Sequence, residues 1–128
     1  MKVIIAGNRS FHDKELVFGF INQSQFDITE VVSGHAEGVD KIGEEWAGQH
    51  NIPVKQYIPH YRVDNPKFAP LARNMDMGDY ADALIAVWDG KSNGTRHMIE
   101  YMQNQKKPVE LNIYKDTDPH DESSLRKI

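Results

Sequence analysis

Three short stretches place glycine and hydroxyl residues, two of them with a cation, directly after an apolar run and before a helical pattern. They are Gly7–Phe11 (GNRSF), Ser33–Asp40 (SGHAEGVD) and Asp89–Thr95 (DGKSNGT). The chemistry open to such turns is anion binding. A helix N-terminus presents backbone N–H groups that lack intrahelical partners, together with a partial positive charge. Gly7, Gly34, Gly38, Gly90 and Gly94 let the backbone approach a ligand closely and adopt positive φ. Ser33, Ser92 and Thr95 supply hydroxyl donors or serve as helix N-caps. Arg9 and Arg73 are the cations best placed to join them, since a guanidinium fork suits phosphate better than an ammonium does. One turn of this kind is an ordinary strand-to-helix loop, and one arginine on a helix is commonly solvated. Three turns at one sheet edge with two arginines point to an anionic ligand.

Other groupings carry less chemistry. Asp76, Asp79 and Asp82 recur every third residue without an interleaved histidine and read as a solvated helix face; His35, Glu37 and Asp40 are a weak metal candidate. No metal site is expected. Tyr57, Tyr61, Phe68 and Trp88 are available to stack on a base, while Trp88, at a strand end, suits core packing equally well.

The elements that must position these residues follow from periodicity. Lys2–Gly7 (KVIIAG) is a short apolar run closed by glycine, as in a buried parallel strand. Ser10 with Asp13 fits a capping box ahead of a helix bearing Leu16, Val17, Phe20 and Ile21. A second strand (ITEVVSG) precedes a helix with Val39, Ile42 and Trp46 on one face, and VKQYI reads as a third strand. Pro59 to Pro70 breaks the pattern as a long loop, a feature often functional in compact domains. A third helix (LARNMDMGDYAD) is expected to turn Leu71, Met75 and Met77 inward, followed by the strand ALIAVW, a helix over 95–105 and the strand PVELNIY. The alternation predicts an α/β, Rossmann-like three-layer sandwich with a mainly parallel five-stranded sheet and right-handed crossovers. Ligands of such sheets bind beyond the strand carboxyl ends, where strand order reverses. One domain over 1–114 and an exposed tail or short helix over 115–128 are expected.

Composition sets outer limits. The 128 residues carry a formal charge of −4 and no cysteine. There is neither a disulfide framework nor thiolate chemistry, and an acidic balance disfavours an extended polyphosphate-binding face, so nucleic acid is not the expected partner. No run is long enough to span a bilayer and no export signal is evident, so a cytoplasmic protein with no membrane partner is expected.

The stretches VIIAGNRSF, VVSGHAEGVDKIGEEWA and ARNMDM…YADALIAVWDGKSNGT, in that order, resemble the YspA (cpYpsA-related) branch of the SLOG superfamily from about Val3 to Val109. The resemblance implies a Rossmann-like sheet that binds nucleotides or nucleotide-derived ligands. Relatives include the Lonely Guy phosphoribohydrolases, the single-strand-binding DNA-processing protein A family, and sensor domains of prokaryotic immune systems; a small stand-alone form would suit a bacterium or a phage. SGHAEGVD is close to the SG-x-A-x-G-[IV]-D block of the DNA-processing relatives. Arg73 and Asn74 open the R-[KN]-x-x-M pattern of the Lonely Guy enzymes, and Gly94-Thr95 matches their phosphate turn. Two departures matter. The catalytic glutamate expected three residues after the threonine is Met98 here, with Glu100 two further on, and the glycine pair of their phosphate loop is replaced by Gly90-Lys91-Ser92.

The expected function is therefore binding of a nucleotide or nucleotide-derived ligand, as a sensor or sequestering module. Gly7, Ser33, Gly34, Gly38, Ser92, Gly94 and Thr95 would cradle it, Arg73 and Arg9 would meet its phosphate, and Asp40 would orient the second loop. The alternative is an N-glycosidic hydrolase with Glu100 as carboxylate, helped by Arg73. No cofactor is fixed beyond that ligand. A homodimer through the Met- and Tyr-bearing helix 98–105 is a further possibility, as is that helix facing the sheet.

Overall fold

The computed structural model describes residues 1–61 and 67–114; the expected tail over 115–128 and the loop positions 62–66 lie outside them. The elements run β1 (Lys2–Gly7), α1 (Lys14–Asn22), β2 (Glu30–Ser33), α2 (Val39–Gln49), β3 (Val54–Gln56), α3 (Ala69–Tyr80), β4 (Ala83–Trp88), α4 (Asn93–Asn104) and β5 (Val109–Ile113). All strands pair in parallel, in the order β3-β2-β1-β4-β5.

Val3, Ile4 and Ile5 of β1 are wholly buried, because helices cover both faces of the sheet and strand residues alternate between them. Val3 and Ile5, with Val31, Ile85 and Val87, face α1 and α2, where Val17, Ile21, Ile42 and Trp46 complete one core. Ile4, Val32, Leu84 and Ala86 face α3 and α4, where Met77, Met98, Ile99 and Met102 complete the other. This is the three-layer α/β sandwich. Met98 and Met102 are thus turned to the sheet rather than outward. Among the described residues no helix is long and apolar enough to cross a membrane.

Three local expectations are corrected. Asp13 itself, not Ser10, caps α1, its carboxylate accepting from Leu16 N at 3.2 Å. The helix after β4 starts at Asn93, two residues before Thr95. On α3 the inward stripe is Ala69, Arg73, Asn74, Met77 and Gly78, whereas Leu71 and Met75 are 37 % and 44 % exposed. The helix is rotated so that two polar side chains, each with partners, occupy places that apolarity alone assigns to Leu71 and Met75.

Candidate functional site

The chain leaves β1 toward β2 on one side and reaches β4 on the other, so the loops after β1 and β4 diverge at the carboxyl edge. A cavity of about 380 Å³ opens there, lined by Gly7, Arg9, Ser10, Asp40, Arg73, Asn74, Ser92, Gly94 and Thr95, with Ala6, Ala36, Pro70, Leu71, Met77 and Met98 as its apolar part. Asn8 ties the two loops together: its N–H donates to Val87 O at 3.3 Å and its side-chain oxygen accepts from Asp89 N at 3.2 Å. Asp89 Oδ1 then accepts from Lys91 N at 2.8 Å and Ser92 N at 3.0 Å, holding its own carboxyl below the usual carboxylate range against the effect of desolvation. Trp88 Nε1 donates to Ser92 O at 3.0 Å. These bonds fix the turn that opens α4.

The first intrahelical bond of α4 runs from Arg96 N to Ser92 O at 3.1 Å. Ser92 occupies the N-cap position without a capping side-chain bond, and the first turn holds no acidic residue. Among the described residues, no hydrogen bond engages the N–H groups of Asn93, Gly94 or Thr95. This end of α4 is open to an anion.

Arg73 enters the same cavity from α3, although it is only 9 % exposed. Its Nη1 donates to Gly34 O at 2.7 Å and to Tyr57 O at 3.4 Å, and its Nε to Asn74 Oδ1 at 3.1 Å. Among the described residues no hydrogen bond uses Nη2. Burial lowers its pKa, Asp40 opposes that, and the nearby Arg9 adds to it. Arg9 is exposed and, among the described residues, has neither a hydrogen-bond nor an ion-pair partner. Asp40, 6 % exposed at the start of α2, is pushed up to about 6 by burial, against the pull of the Ala36 and Gly7 backbone N–H groups and of Arg73.

The remaining expected residues fall outside the lining. Ser33 Oγ donates to Glu44 Oε2 at 2.7 Å and accepts from His35 N at 3.0 Å, so it serves its own loop. Gly34 is a spacer: a Cβ there would stand 2.6 Å from Arg73 Nη1 and 2.9 Å from Asp40 Oδ2. Gly38 caps α2 with φ +81, and a Cβ would meet Asn8 O at 2.3 Å. Gly90 also has positive φ, with open space around it. Glu100 is exposed on α4, and the position that faces the cavity is Met98. Tyr61 and Phe68 are exposed, and Trp88 packs against the second core under Arg96, whose guanidinium lies 5.3 Å from its ring.

Asn8 and Glu44 were not legible as site-forming residues. Glu44 gathers Ser33, His35 (2.9 Å) and Gln56 (3.0 Å) and so fixes the second loop. An Asn after a strand and a Glu inside a helix are too common to signal this without the fold.

The model of the YspA, cpYpsA-related SLOG family matches residues 1–62, which hold β1 through β3. No curated protein sequence matches the chain. Among solved structures, the X-ray structure of DNA processing protein A (DprA) from Streptococcus pneumoniae superposes with a TM-score of 0.68 at 18 % identity, over 91 % of this chain and 52 % of that one. The chain spans about half the length of that protein, and the likeness shows a shared Rossmann-like fold.

Proposed function

From a chain that carries the YspA, cpYpsA-related SLOG family pattern over residues 1–62, we propose that the cavity at the β1/β4 edge binds a nucleotide or nucleotide-derived ligand, as a sensor or sequestering module. One observation carries the reading. A buried guanidinium and the open first turn of α4 line one cavity at the reversal of strand order, with Arg9 beside them. Taking Arg73 out of water is costly unless charge or dipoles answer it. Two carbonyls and an amide oxygen answer part, and a ligand phosphate would answer the rest. A volume of about 380 Å³ also lies within the roughly 300–1,000 Å³ of small-molecule sites.

A second reading, hydrolysis of an N-glycosidic bond, draws on Asp40. A carboxyl held near 6 inside the cavity is in the range of a general acid or base. Glu100, exposed and outside the lining, is the poorer carboxylate for that role. A nucleic-acid strand would need more phosphates answered than Arg9 and Arg73 supply.

The test is a thermal-shift panel of the full chain, Arg9→Ala and Arg73→Lys against mono-, di- and cyclic nucleotides, NAD, ADP-ribose and an oligonucleotide. A ligand at a hundred times its Kd adds about 2.7 kcal/mol, a shift of several degrees. The expected result is a shift with one nucleotide class, reduced in both variants. No shift with any small nucleotide, or shifts untouched by both variants, overturns the proposal.

A further inference from the structure

A pocket for an anion gains nothing from a carboxylate, yet Asp40 lines this one. It is the sole acid among the described lining residues. The charged groups that act on it are Arg73 from α3 and Glu44 one turn along α2, itself engaged by Ser33, His35 and Gln56, while Arg9 from the loop after β1 lines the same cavity. The absent side chain of Gly34 leaves room for the Asp40 carboxylate and the Arg73 guanidinium to approach the same point. Even so, no ion pair joins them, and Arg73 Nη1 is directed to the Gly34 carbonyl instead. On the carboxylate, Ala36 N reaches Oδ2 at 3.3 Å, and the Gly7 N–H also favours its charged form. An ionised carboxylate has about four lone-pair sites, so acceptor capacity remains on a side chain that faces the cavity.

Resting on the nucleotide reading above, we infer that Asp40 is a specificity residue, accepting a hydrogen bond from a ligand hydroxyl while Arg73, Arg9 and the first turn of α4 hold the phosphate. The ligand class is then a phosphate monoester with a free hydroxyl on the same small unit, as in the ribose 5-phosphate of a ribonucleotide. A bare phosphate, or a sugar phosphate stripped of hydroxyls, would leave the carboxylate buried beside an anion without a donor, a costly arrangement. The rise of the Asp40 pKa through burial fits a carboxylate that lacks such a donor in the free protein.

The experiment is calorimetric titration of the full chain, Asp40→Asn and Asp40→Ala at pH 7.5. The probes are the four ribonucleoside 5′-monophosphates, their 2′,3′-dideoxy counterparts and inorganic phosphate. A hydrogen bond to a charged acceptor predicts a preference of about ten- to a hundredfold for ribo over dideoxy in the wild type. The preference should shrink in Asp40→Asn, which keeps a neutral acceptor, and vanish in Asp40→Ala, while inorganic phosphate binds both variants at least as well as wild type. A merely structural Asp40 would weaken all probes alike, and that result overturns the inference. So does a wild type that binds ribo and dideoxy forms equally, which leaves the nucleotide reading standing. Failure of every probe to bind the wild type overturns the inference, and the nucleotide reading falls with it only if the thermal-shift panel of the other nucleotides is also silent. If Asp40→Ala does not melt cooperatively, the ribo-to-dideoxy ratio of Asp40→Asn decides: an unchanged ratio overturns the inference.

Discussion

Replacing Asp40 by Asn should stabilise the ligand-free protein at neutral pH and leave it unchanged in acid. Burial raises this carboxyl from its ordinary 3.8 to about 6, even though the Ala36 and Gly7 N–H groups and Arg73 all favour the charged form. A folded-state pKa above the unfolded one means that the folded protein holds the proton more tightly. The associated stability is therefore fully present below 3.8, falls as pH rises, and is gone above about 6. At about 1.4 kcal/mol per pH unit of displacement, ionised Asp40 costs the folded state about 3 kcal/mol at pH 7.5. Asn mimics the neutral acid in shape and can still accept from Ala36 N, so most of that cost should disappear. For a domain of this size 3 kcal/mol is about 10 °C in Tm. Melting curves of wild type and Asp40→Asn from pH 3.5 to 8 should coincide in acid and separate between pH 4 and 6. A constant offset across that range, or an Asn variant less stable at pH 7.5, would refute the electrostatic account of Asp40. Such a gain is what is expected where a site keeps an unfavourable group for function.

Two glycines near the same edge should respond in opposite ways. Gly38→Ala, with φ +81, ψ −129 and a Cβ 2.3 Å from Asn8 O, should destabilise by more than the roughly 1–3 kcal/mol of such a strained backbone alone, read as a lower urea midpoint. Gly94→Ala meets nothing within 4 Å and should gain up to about 1 kcal/mol from helix propensity, while its methyl at the cavity weakens nucleotide binding in the thermal-shift assay. Glu100→Gln, at an exposed position outside the cavity, should leave ligand affinity and any turnover unchanged; a tenfold change in either would return Glu100 to the site.

The layers of the fold were readable because burial on both sides of a parallel sheet leaves continuous apolar runs such as Val3–Ile5 and Ala83–Val87, and glycine-containing turns mark their ends. The same logic located the turns after β1 and β4, and with them Gly7, Arg9, Ser92, Gly94 and Thr95 at the cavity. It failed where a polar residue occupies an inward place. Arg73 and Asn74, themselves expected at the ligand site, hold the inward position on α3 that an apolar count assigns to Leu71 and Met75, because their partners Gly34 and Gly94 lie 39 and 20 residues away in sequence. Ser33 looked like a ligand donor for a related reason. Its partner Glu44 sits eleven residues on, in a helix whose facing side only the fold defines. Strand register and the choice of which loop serves the ligand and which serves its neighbour are long-range properties that local pattern does not encode.

The central claim is that an anion sits against Arg73 and the first turn of α4. It is tested most directly by amide and guanidinium NMR shifts on titrating the full chain with the nucleotide that gives the largest thermal shift. The account predicts that the N–H resonances of Asn93, Gly94 and Thr95 and the Nη resonances of Arg73 move together with one dissociation constant. Saturable binding that leaves all of these still, and moves resonances elsewhere, would contradict it.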